Sequence, residues 1–559
     1  MRFFKLSIPF AIILLLQACS KGNSGSGGNT PNPPTPTSFA FNTLKVNGSY
    51  KGFTYYNVNT NPTLQLSFTA PLSHASVNSN ITLKTSSGSS VALTASYANN
   101  DSTVVLQSST ALSPITKYVL TVPVSLQSQA GGSLQSAITV NLTTAIDSSD
   151  KFARISDSAL LDLVESQTFK YFWDLGHPTS GMALERNNSG DIVTTGGTGF
   201  GVMAMIVGIH RHFISRSQGL DRVTKIVDFL RQKTTRYHGA FSHWINGSTG
   251  ATQPFSTQDN GGDIVETSYL IQGLLTARQY FNTSDAGEVS LRSNIDSLWL
   301  NVDWNWYRRG GLNTLYWNWS PDYSWAVNVP VKGWNEALIT YVLAASSPGN
   351  AIPKAAYDSG WAGNGNIRNG NAYYNTVLPL GPQMGGPLFF AHYSFLGLNP
   401  TGLSDAYANY WTQNVAHSTI NYRYCVTNPL SFNGYSSACW GLTASDDNVS
   451  GYSAHSPTND LGIISPTAAI SSLPYTPTES MNALRFFYYK LGDKIWGQYG
   501  FADAFNLTNI WFASSWLAID QGPEIAMIEN YRSGLLWNLF MSCPEVQAGL
   551  TKLNFTYTH

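Results

Sequence analysis

From about residue 39 to 146 apolar and polar side chains alternate. Leu64, Leu66 and Phe68 are interleaved with Gln65, Ser67 and Thr69, and Tyr118, Leu120 and Val122 and then Ile138, Val140 and Leu142 repeat the pattern. Turn signals such as Asn99-Asn100-Asp101 and Gly131-Gly132 separate the runs. Short half-buried strands with regular turns predict an antiparallel all-β sandwich. Beyond about residue 150 the spacing becomes three to four. Leu160, Leu161, Val164 and Phe169 predict one helix, Met203, Ile206, Val207 and Ile209 a second, and Val223, Ile226, Val227 and Leu230 a third. Further helices are expected at 263–281, 286–300, 334–345, 403–415, 478–491 and 523–541. Long Gly-, Pro-, Asn- and Trp-rich loops, such as 301–333 and 425–463, lie between them; loops of that length are uncommon unless functional. Helices in series with elaborate loops on one side suggest an α/α toroid whose loops build a cleft, and no fixed-period repeat speaks for a solenoid.

Composition sharpens this division. All 16 tryptophans lie beyond residue 170. Only 11% of residues are charged, with 31 basic and 32 acidic, which excludes the basic footprint of a phosphate-binding protein and argues against a nucleic-acid partner. A domain rich in aromatics and neutral hydrogen-bonding side chains suits an uncharged polysaccharide.

The first residues read as a processing signal. Arg2 and Lys5 precede a short apolar run, Leu6 to Leu16, too short to span a bilayer, and Leu16-Gln17-Ala18-Cys19 resembles a bacterial lipobox. The expectation is a signal peptide over 1–19, a lipid anchor on Cys19 holding the chain to a membrane, and an outer-membrane lipoprotein at the periplasmic face or cell surface. Residues 20–38, almost without apolar side chains, are expected to be a disordered tether. Cys425, Cys439 and Cys543 leave at least one thiol unpaired; Cys425 and Cys439 are candidates for a disulfide. No Cys/His spacing resembles a zinc site, so neither metal nor cofactor is expected.

Cleaving a glycosidic bond requires two carboxyl groups, one protonated and one ionised. Four groups of acids stand in suitable surroundings. Asp263 and Glu266, after Asp259-Asn-Gly-Gly, share one face at the start of a helix, a spacing that equally fits a capping box. Glu336 follows Gly333-Trp334-Asn335, where Asn335 would cap a helix and Trp334 would raise the Glu336 pKa. Asp520 precedes Pro523, which fits the first helical position, with Glu524 and Glu529 following and Glu529 expected to pair with Arg532. Asp446 and Asp447, with His455, lie in a Gly/Ser/Asn loop that reads as a solvated turn or a sugar-binding loop.

Several longer motifs carry a resemblance. Thr198-Gly-Phe-Gly-Val-Met203, Asp259-Asn-Gly-Gly-Asp263 through Glu266, Tyr316-Trp-Asn-Trp-Ser-Pro321, Gly333-Trp-Asn-Glu336, Gly386-Pro-Leu-Phe-Phe-Ala-His-Tyr-Ser-Phe395, Trp440-Gly-Leu-Thr-Ala-Ser-Asp446, Pro474-Tyr-Thr-Pro477 and Ile519-Asp-Gln-Gly-Pro523 resemble, in order, the bacterial glucoamylase-like domain that includes glycoside hydrolase family 144. The stretch from Phe68 to Thr144 resembles bacterial Ig-like modules, here read as a spacer. The resemblance implies an (α/α)6 barrel over about 152–545, after an Ig-like sandwich at 39–146, that hydrolyses β-1,2-glucan with inversion. It implies Glu336 as general acid, Asp263, Glu266 and Asp520 as further catalytic acids with the base open between Asp520 and Asp263, and Asp259, Trp317, Trp319, Trp334, His392, Tyr393, Trp440 and Asp446 as substrate contacts. Endo and exo members both occur, and a monomer is expected. The competing readings are a non-catalytic surface glycan-binding lipoprotein, a hydrolase of another glucan, and a polysaccharide lyase. The acids speak against the first, and the scatter of His392, His455 and Arg423 against the last.

Overall fold

The computed structural model describes residues 37–558. The leader, Cys19 and the tether up to residue 36 lie outside the described residues.

The alternating segment forms strands β1 (Phe41–Val46), β2 (Thr54–Val58), β3 (Thr63–Phe68), then helix α1 (His74–Asn80), then β4 (Thr82–Thr85), β5 (Ser90–Val91), β6 (Leu93–Ala98), β7 (Thr103–Ser108), β8 (Lys117–Val122) and β9 (Ile138–Thr144). They pair into two sheets of order β1-β3-β7-β6 and β2-β9-β8-β4-β5. Strands β3 and β8 bury every second side chain, Leu64, Leu66 and Phe68 in one and Tyr118, Leu120 and Val122 in the other. Each such burial contributes about 1.5–3 kcal/mol, and a one-residue slip would turn the whole set outward. The N-terminal unit is thus the expected Ig-like sandwich, with one departure: β2 runs parallel to β9, pairing Thr54 with Asn141 and Tyr55 with Leu142. Alternation reports which face is buried, and says nothing of strand direction.

The remainder is dominated by helices α2 (Asp157–Asp174), α3 (Thr195–His210), α4 (Arg216–Gln232), α5 (Ile264–Tyr280), α6 (Ala286–Leu300), α7 (Leu338–Ser346), a single turn α8 (Lys354–Ala356), α9 (Tyr410–Thr427), α10 (Pro466–Ile470), α11 (Pro477–Ile495), α12 (Ala518–Arg532), α13 (Leu535–Met541) and α14 (Pro544–Lys552). Two kinds of helix are present. In α3 every residue from Thr195 to Ile209 is buried, as are all of α7 and most of α5 and α12. By contrast α4 buries one stripe, Val223, Ile226, Val227 and Leu230, and shows charge elsewhere. The fully buried helices pack together, α3 against α5 and α12, while α2 packs against α12 and α3, α4 against α6 and α3, and α14 against α7.

Glycine permits the closest of these contacts. A Cβ on Gly199 would lie 2.2 Å from the Tyr269 carbonyl oxygen, and one on Gly273 would lie 2.1 Å from that of Gly199. Backbone therefore touches backbone where α3 crosses α5, which brings their N-terminal turns side by side. Gly273→Ala is expected to lower stability by about 1–3 kcal/mol or more by overpacking, read as a drop in the urea midpoint with an unchanged slope.

Several boundaries differ from expectation. The helix expected at 403–415 begins at Tyr410, because Asn409 caps it by accepting the Thr412 N–H at 2.9 Å and Asp405 holds the preceding turn. The helix expected from Pro523 starts at Ala518 and contains the proline; Gly534, at φ +70°, then divides it from α13. Glu529 does not pair with Arg532: it is gripped by Arg211 at 2.6 Å, and Arg532 goes to Asp162 and Glu165. Cys425, Cys439 and Cys543 are free, buried thiols. No described helix is long and apolar enough to cross a membrane.

Candidate active site

A cleft of about 370 Å³ opens at the N-terminal ends of α3, α5 and α12, a size typical of small-ligand sites, ~300–1,000 Å³. Its acids are Glu185, Glu266 and Glu336, its aromatic walls include Trp244, Phe255, Trp317, Tyr269, Tyr393 and Tyr452, and Arg186 and His243 reach into it.

Asp263 is the N-cap of α5. Its Oδ1 accepts the N–H groups of Val265 and Glu266 at 3.0 and 2.9 Å, and its Oδ2 faces His243 Nδ1 at 2.9 Å. The capping reading is therefore half right: Asp263 caps, but Glu266 does not return to it. The Asp263 N–H goes to the Phe241 carbonyl, and the Glu266 carboxylate accepts the Gly196 N–H at 2.8 Å across the helix crossing. A Cβ on Gly196 would lie 2.6 Å from that carboxylate oxygen, so only glycine lets the first turn of α3 come so close. Burial raises the Glu266 pKa, while His243, the Gly196 N–H and the Thr194 hydroxyl oppose it. His243 loses through burial, yet Glu266 and the hydrogen bond to Asp263 outweigh this and push it up to about 9. It is an imidazolium at neutral pH, anchored at its backbone by the Thr195 N–H. Asp259 is nearly buried beside it and is pushed up to about 6, by burial and then by the Asp263 charge. His243, Asp259 and Asp263 place possible ligand atoms within 4.8 Å of one another. Asp263, however, already spends both oxygens on N–H groups and imidazole.

Glu336 precedes α7 rather than opening it. Asn335 Oδ1 accepts the Ala337 N–H at 2.9 Å, and Ser394 Oγ donates to the Glu336 carbonyl while accepting the Ile339 N–H at 3.0 Å. Burial pushes the Glu336 pKa up to about 7, with further help from Glu266 and Asp263 against its own backbone N–H. Tyr269 stands beside Glu336 and Glu266, its hydroxyl buried and without a protein partner. The neighbouring Trp334, expected to raise the acid's pKa, is turned away into the core against Trp361, Phe395 and Tyr410.

Across the cleft lies a second acidic group. Arg186 bridges Glu185, at 2.8 Å, and both oxygens of Asp446, at 3.1 Å. Asp446 donates its own N–H to Asp503 Oδ2 at 2.6 Å, and Asp503 is set against the Asp520 carboxyl. Asp520 lies in the first turn of α12, 2% exposed, behind the wall formed by Tyr393 and Tyr452. Burial and the Asp503 charge push its pKa well up.

Of the residues named from sequence, Glu336, Glu266, Trp317 and Tyr393 line the cleft, with Asp259, Asp446 and Asp520 close behind. Asp263 is a sealed cap and a support for His243, not a wall of the cleft. Besides Trp334, which is turned into the core, three others are not brought to it. Trp440 is in the core, donating to the Glu479 carbonyl; His392 is buried against Ser472 and kept neutral, its pKa pushed down to about 3 by burial; Trp319 packs with His238 and Trp306 outside the cleft. Asp447 accepts the Val449 and Ser450 N–H groups and closes the hairpin that carries Tyr452, so the loop is a built turn rather than a solvated one. Glu185 and Arg186, adjacent in the chain, and His243 and Asp503 stand outside the motifs that the sequence offered and are gathered to the cleft only by tertiary packing.

Comparison with known proteins places this arrangement. Residues 328–544 match the Glycoamylase family model of glucoamylases, and 45–144 match a bacterial Ig-like domain. A solved endo-β-1,2-glucanase from Chitinophaga pinensis is 53% identical, with TM-score 0.71, and the match covers 72% of this chain and 99% of that one. The chain belongs to the glucoamylase-like family that includes glycoside hydrolase family 144. A second member, an exo β-1,2-glucooligosaccharide sophorohydrolase acting at the non-reducing end, from Parabacteroides distasonis, is 47% identical over 421 residues, 71% of this chain; the chain spans 58% of that relative's length. A solved β-1,2-glucanase from the same organism matches 94% of this chain and 74% of its own, at 38% identity and TM-score 0.69, so this family member shares the stretch before the helical part as well.

Proposed function

We propose that the chain hydrolyses β-1,2-linked glucan with inversion, on an (α/α)6 barrel over about 152–545 preceded by an Ig-like spacer at 39–146. The observation that carries the reading is Glu336: a carboxyl group whose pKa stands at about 7, in an aromatic-walled cleft, opposite a second group of acids. Two of the named relatives act on β-1,2-linked glucose, one endo and one exo, which supports the linkage and leaves the mode of attack to measurement.

In this reading protonated Glu336 donates to the departing glycosidic oxygen as the bond from C1 breaks. A water forms the new bond to C1 from the opposite face, and its proton passes to Asp520 through an intervening hydroxyl, since Asp520 is screened by Tyr393 and Tyr452. Glu336 is left ionised and Asp520 protonated, and exchange with solvent resets both. His243 holds a positive charge beside Glu266 at the cleft wall, and the aromatic faces stack on sugar rings.

The test is a side-by-side incubation with linear β-1,2-glucan, β-1,3-glucan and starch, sizing the products and following their anomeric form by NMR. Release of α-anomeric oligosaccharides from β-1,2-glucan alone is expected; preference for starch, or β-anomeric first products, removes the proposal. For location, Cys19→Ala is expected to move the protein from the membrane to the soluble fraction; equal membrane association of the variant removes the lipid anchor.

A further inference from the structure

Tyr269, 2% exposed, is fixed by the crossing of α5 on α3. Its carbonyl oxygen lies 2.2 Å from where a Cβ on Gly199 would stand. Its ring edge fills the space beside Gly196, 2.8 Å from the Cβ position there and next to the Glu266 carboxylate. The ring also packs against Phe200 and Tyr393, with centroids 5.4 and 5.7 Å away. Backbone and neighbours together hold this side chain in the part of the cleft wall that carries Glu266, Glu336 and Tyr393.

Buried tyrosines elsewhere in the helical part pair their hydroxyls with main-chain carbonyls. Tyr171 donates to Leu184 at 2.9 Å, Tyr307 to Tyr237 at 2.8 Å, Tyr341 to Val331 at 2.8 Å and Tyr475 to Ala391 at 3.1 Å. The hydroxyl of Tyr269, equally buried, meets no partner among the described residues. Unpaired donors also occur in the core, at the indoles of Trp299 and Trp361. Among the described residues that line the cleft, however, Tyr269 alone has a buried polar group without a partner. Such a group costs free energy unless a ligand completes it.

The chemistry of the surroundings selects that ligand. Glu336 and Glu266 are the acids beside the hydroxyl, and no hydrogen bond joins it to either; one Glu266 oxygen is already engaged by the Gly196 N–H and the Thr194 hydroxyl. Burial, then these two acids, hold its pKa well above the usual phenol value, so it remains a donor. An anion is disfavoured beside two acids, and a cation is drawn to carboxylates rather than to a phenol O–H. A neutral hydroxyl fits, since it accepts from the phenol and can donate to a carboxyl oxygen. We propose that Tyr269 is a substrate-binding residue: its O–H donates to a hydroxyl of the glucose unit seated against Glu336. The proposal rests on the hydrolysis of β-1,2-glucan set out above and adds to it a group that recognises the sugar next to the bond being broken.

Phenylalanine keeps the ring and removes only the donor. The experiment measures kcat/KM against pH on β-1,2-glucooligosaccharides for the full chain and its Tyr269→Phe variant, with thermal melting of both. The comparison is repeated on oligosaccharides lacking the 3-, 4- or 6-hydroxyl in turn. Tyr269→Phe is expected to lower kcat/KM by about three- to tenfold, the loss of one neutral hydrogen bond, and to leave both pH limbs in place. It should melt at the parental temperature or above, because a buried unpaired hydroxyl is gone. On one of the three deoxy substrates the substitution should cost less than about twofold, since the partner is already absent. Parental turnover by Tyr269→Phe overturns the proposal, as does an equal loss on every substrate. A displaced basic limb with unchanged glucan affinity makes the hydroxyl a support for Glu336, and activity lost together with melting temperature makes it part of the fold; either result overturns it too. If the parent leaves β-1,2-glucan intact, the function proposed above falls and takes this inference with it. An active parent beside an unaffected variant removes this inference alone.

Discussion

Glu336→Gln is expected to lower hydrolysis of β-1,2-glucan by on the order of 10²–10⁴-fold while leaving glucan affinity close to the parent's. Glutamine keeps the shape of the side chain and its contact with the local backbone, and removes only the transferable proton. The sign of the pH dependence follows from the raised pKa. Glu336 is protonated below about 7, so kcat/KM should fall as pH rises through that value, once the general acid ionises. Stability falls in the same direction. Below the unfolded value, near 4.5, the carboxyl is neutral in both states and contributes no difference; between 4.5 and 7 folding requires a proton to be bound; above 7 the folded state carries the full cost of a half-buried charge. Glu336→Gln should therefore melt at a higher temperature than the parent at pH 8 and at the same temperature at pH 4. A variant that turns over glucan near the parental rate would take Glu336 out of the chemistry, and one that neither turns over nor binds would make it a structural residue.

The parts of the molecule legible in its sequence are those determined locally. Alternation located the strands of the sandwich because each buries one face, and the stripe Val223, Ile226, Val227 and Leu230 located α4 because that helix has an outside. Helices buried on all sides have no stripe to read. In α3 the glycines that look like poor helix formers, Gly196 and Gly199, are there because α5 touches its backbone. Pro523 suggested a helix start and lies five residues inside one, since in a buried helix packed on both sides tertiary contacts hold the turn that the missing N–H would otherwise support. The candidate site divides in the same way. Glu266 and Glu336 stand in motifs with turn and capping residues around them, so the sequence points at them. His243 and Asp503 acquire meaning only when Asp263 and Asp520, some twenty residues further along, are folded against them. Trp334, Trp319 and Trp440 illustrate the opposite error. They share motifs with cleft residues, yet a tryptophan supplies the largest apolar surface available, and here the core or an outer aromatic cluster takes it.

Asp520→Asn should reduce turnover by on the order of 10²–10⁴-fold with KM little changed, and the comparison with Asp263→Asn decides between the two carboxylates the sequence left open. Both are buried, but their surroundings differ in kind. Asp263 has both oxygens occupied, one by the first turn of α5 and the other by His243, with no lone pair directed at the cleft. Asn is nearly as good an N-cap as Asp, so Asp263→Asn keeps the helix start and loses only the acceptor for His243 Nδ1. The imidazole is then unpinned, its pKa falls from about 9 as the Asp263 charge and hydrogen bond disappear, and Glu266 loses a stabilising neighbour. A roughly tenfold decline is expected, of the size seen when a support behind a functional group is removed, together with a loss of activity at pH 7–8 relative to pH 6 as His243 becomes neutral. Asp520 keeps an oxygen with no donor and lies behind tyrosines that face Glu336, so its loss removes the proton acceptor itself. If Asp263→Asn proves the more damaging of the two, with both variants melting near the parental temperature, the acceptor is on the His243 side of the cleft and the roles given to the two walls must be exchanged.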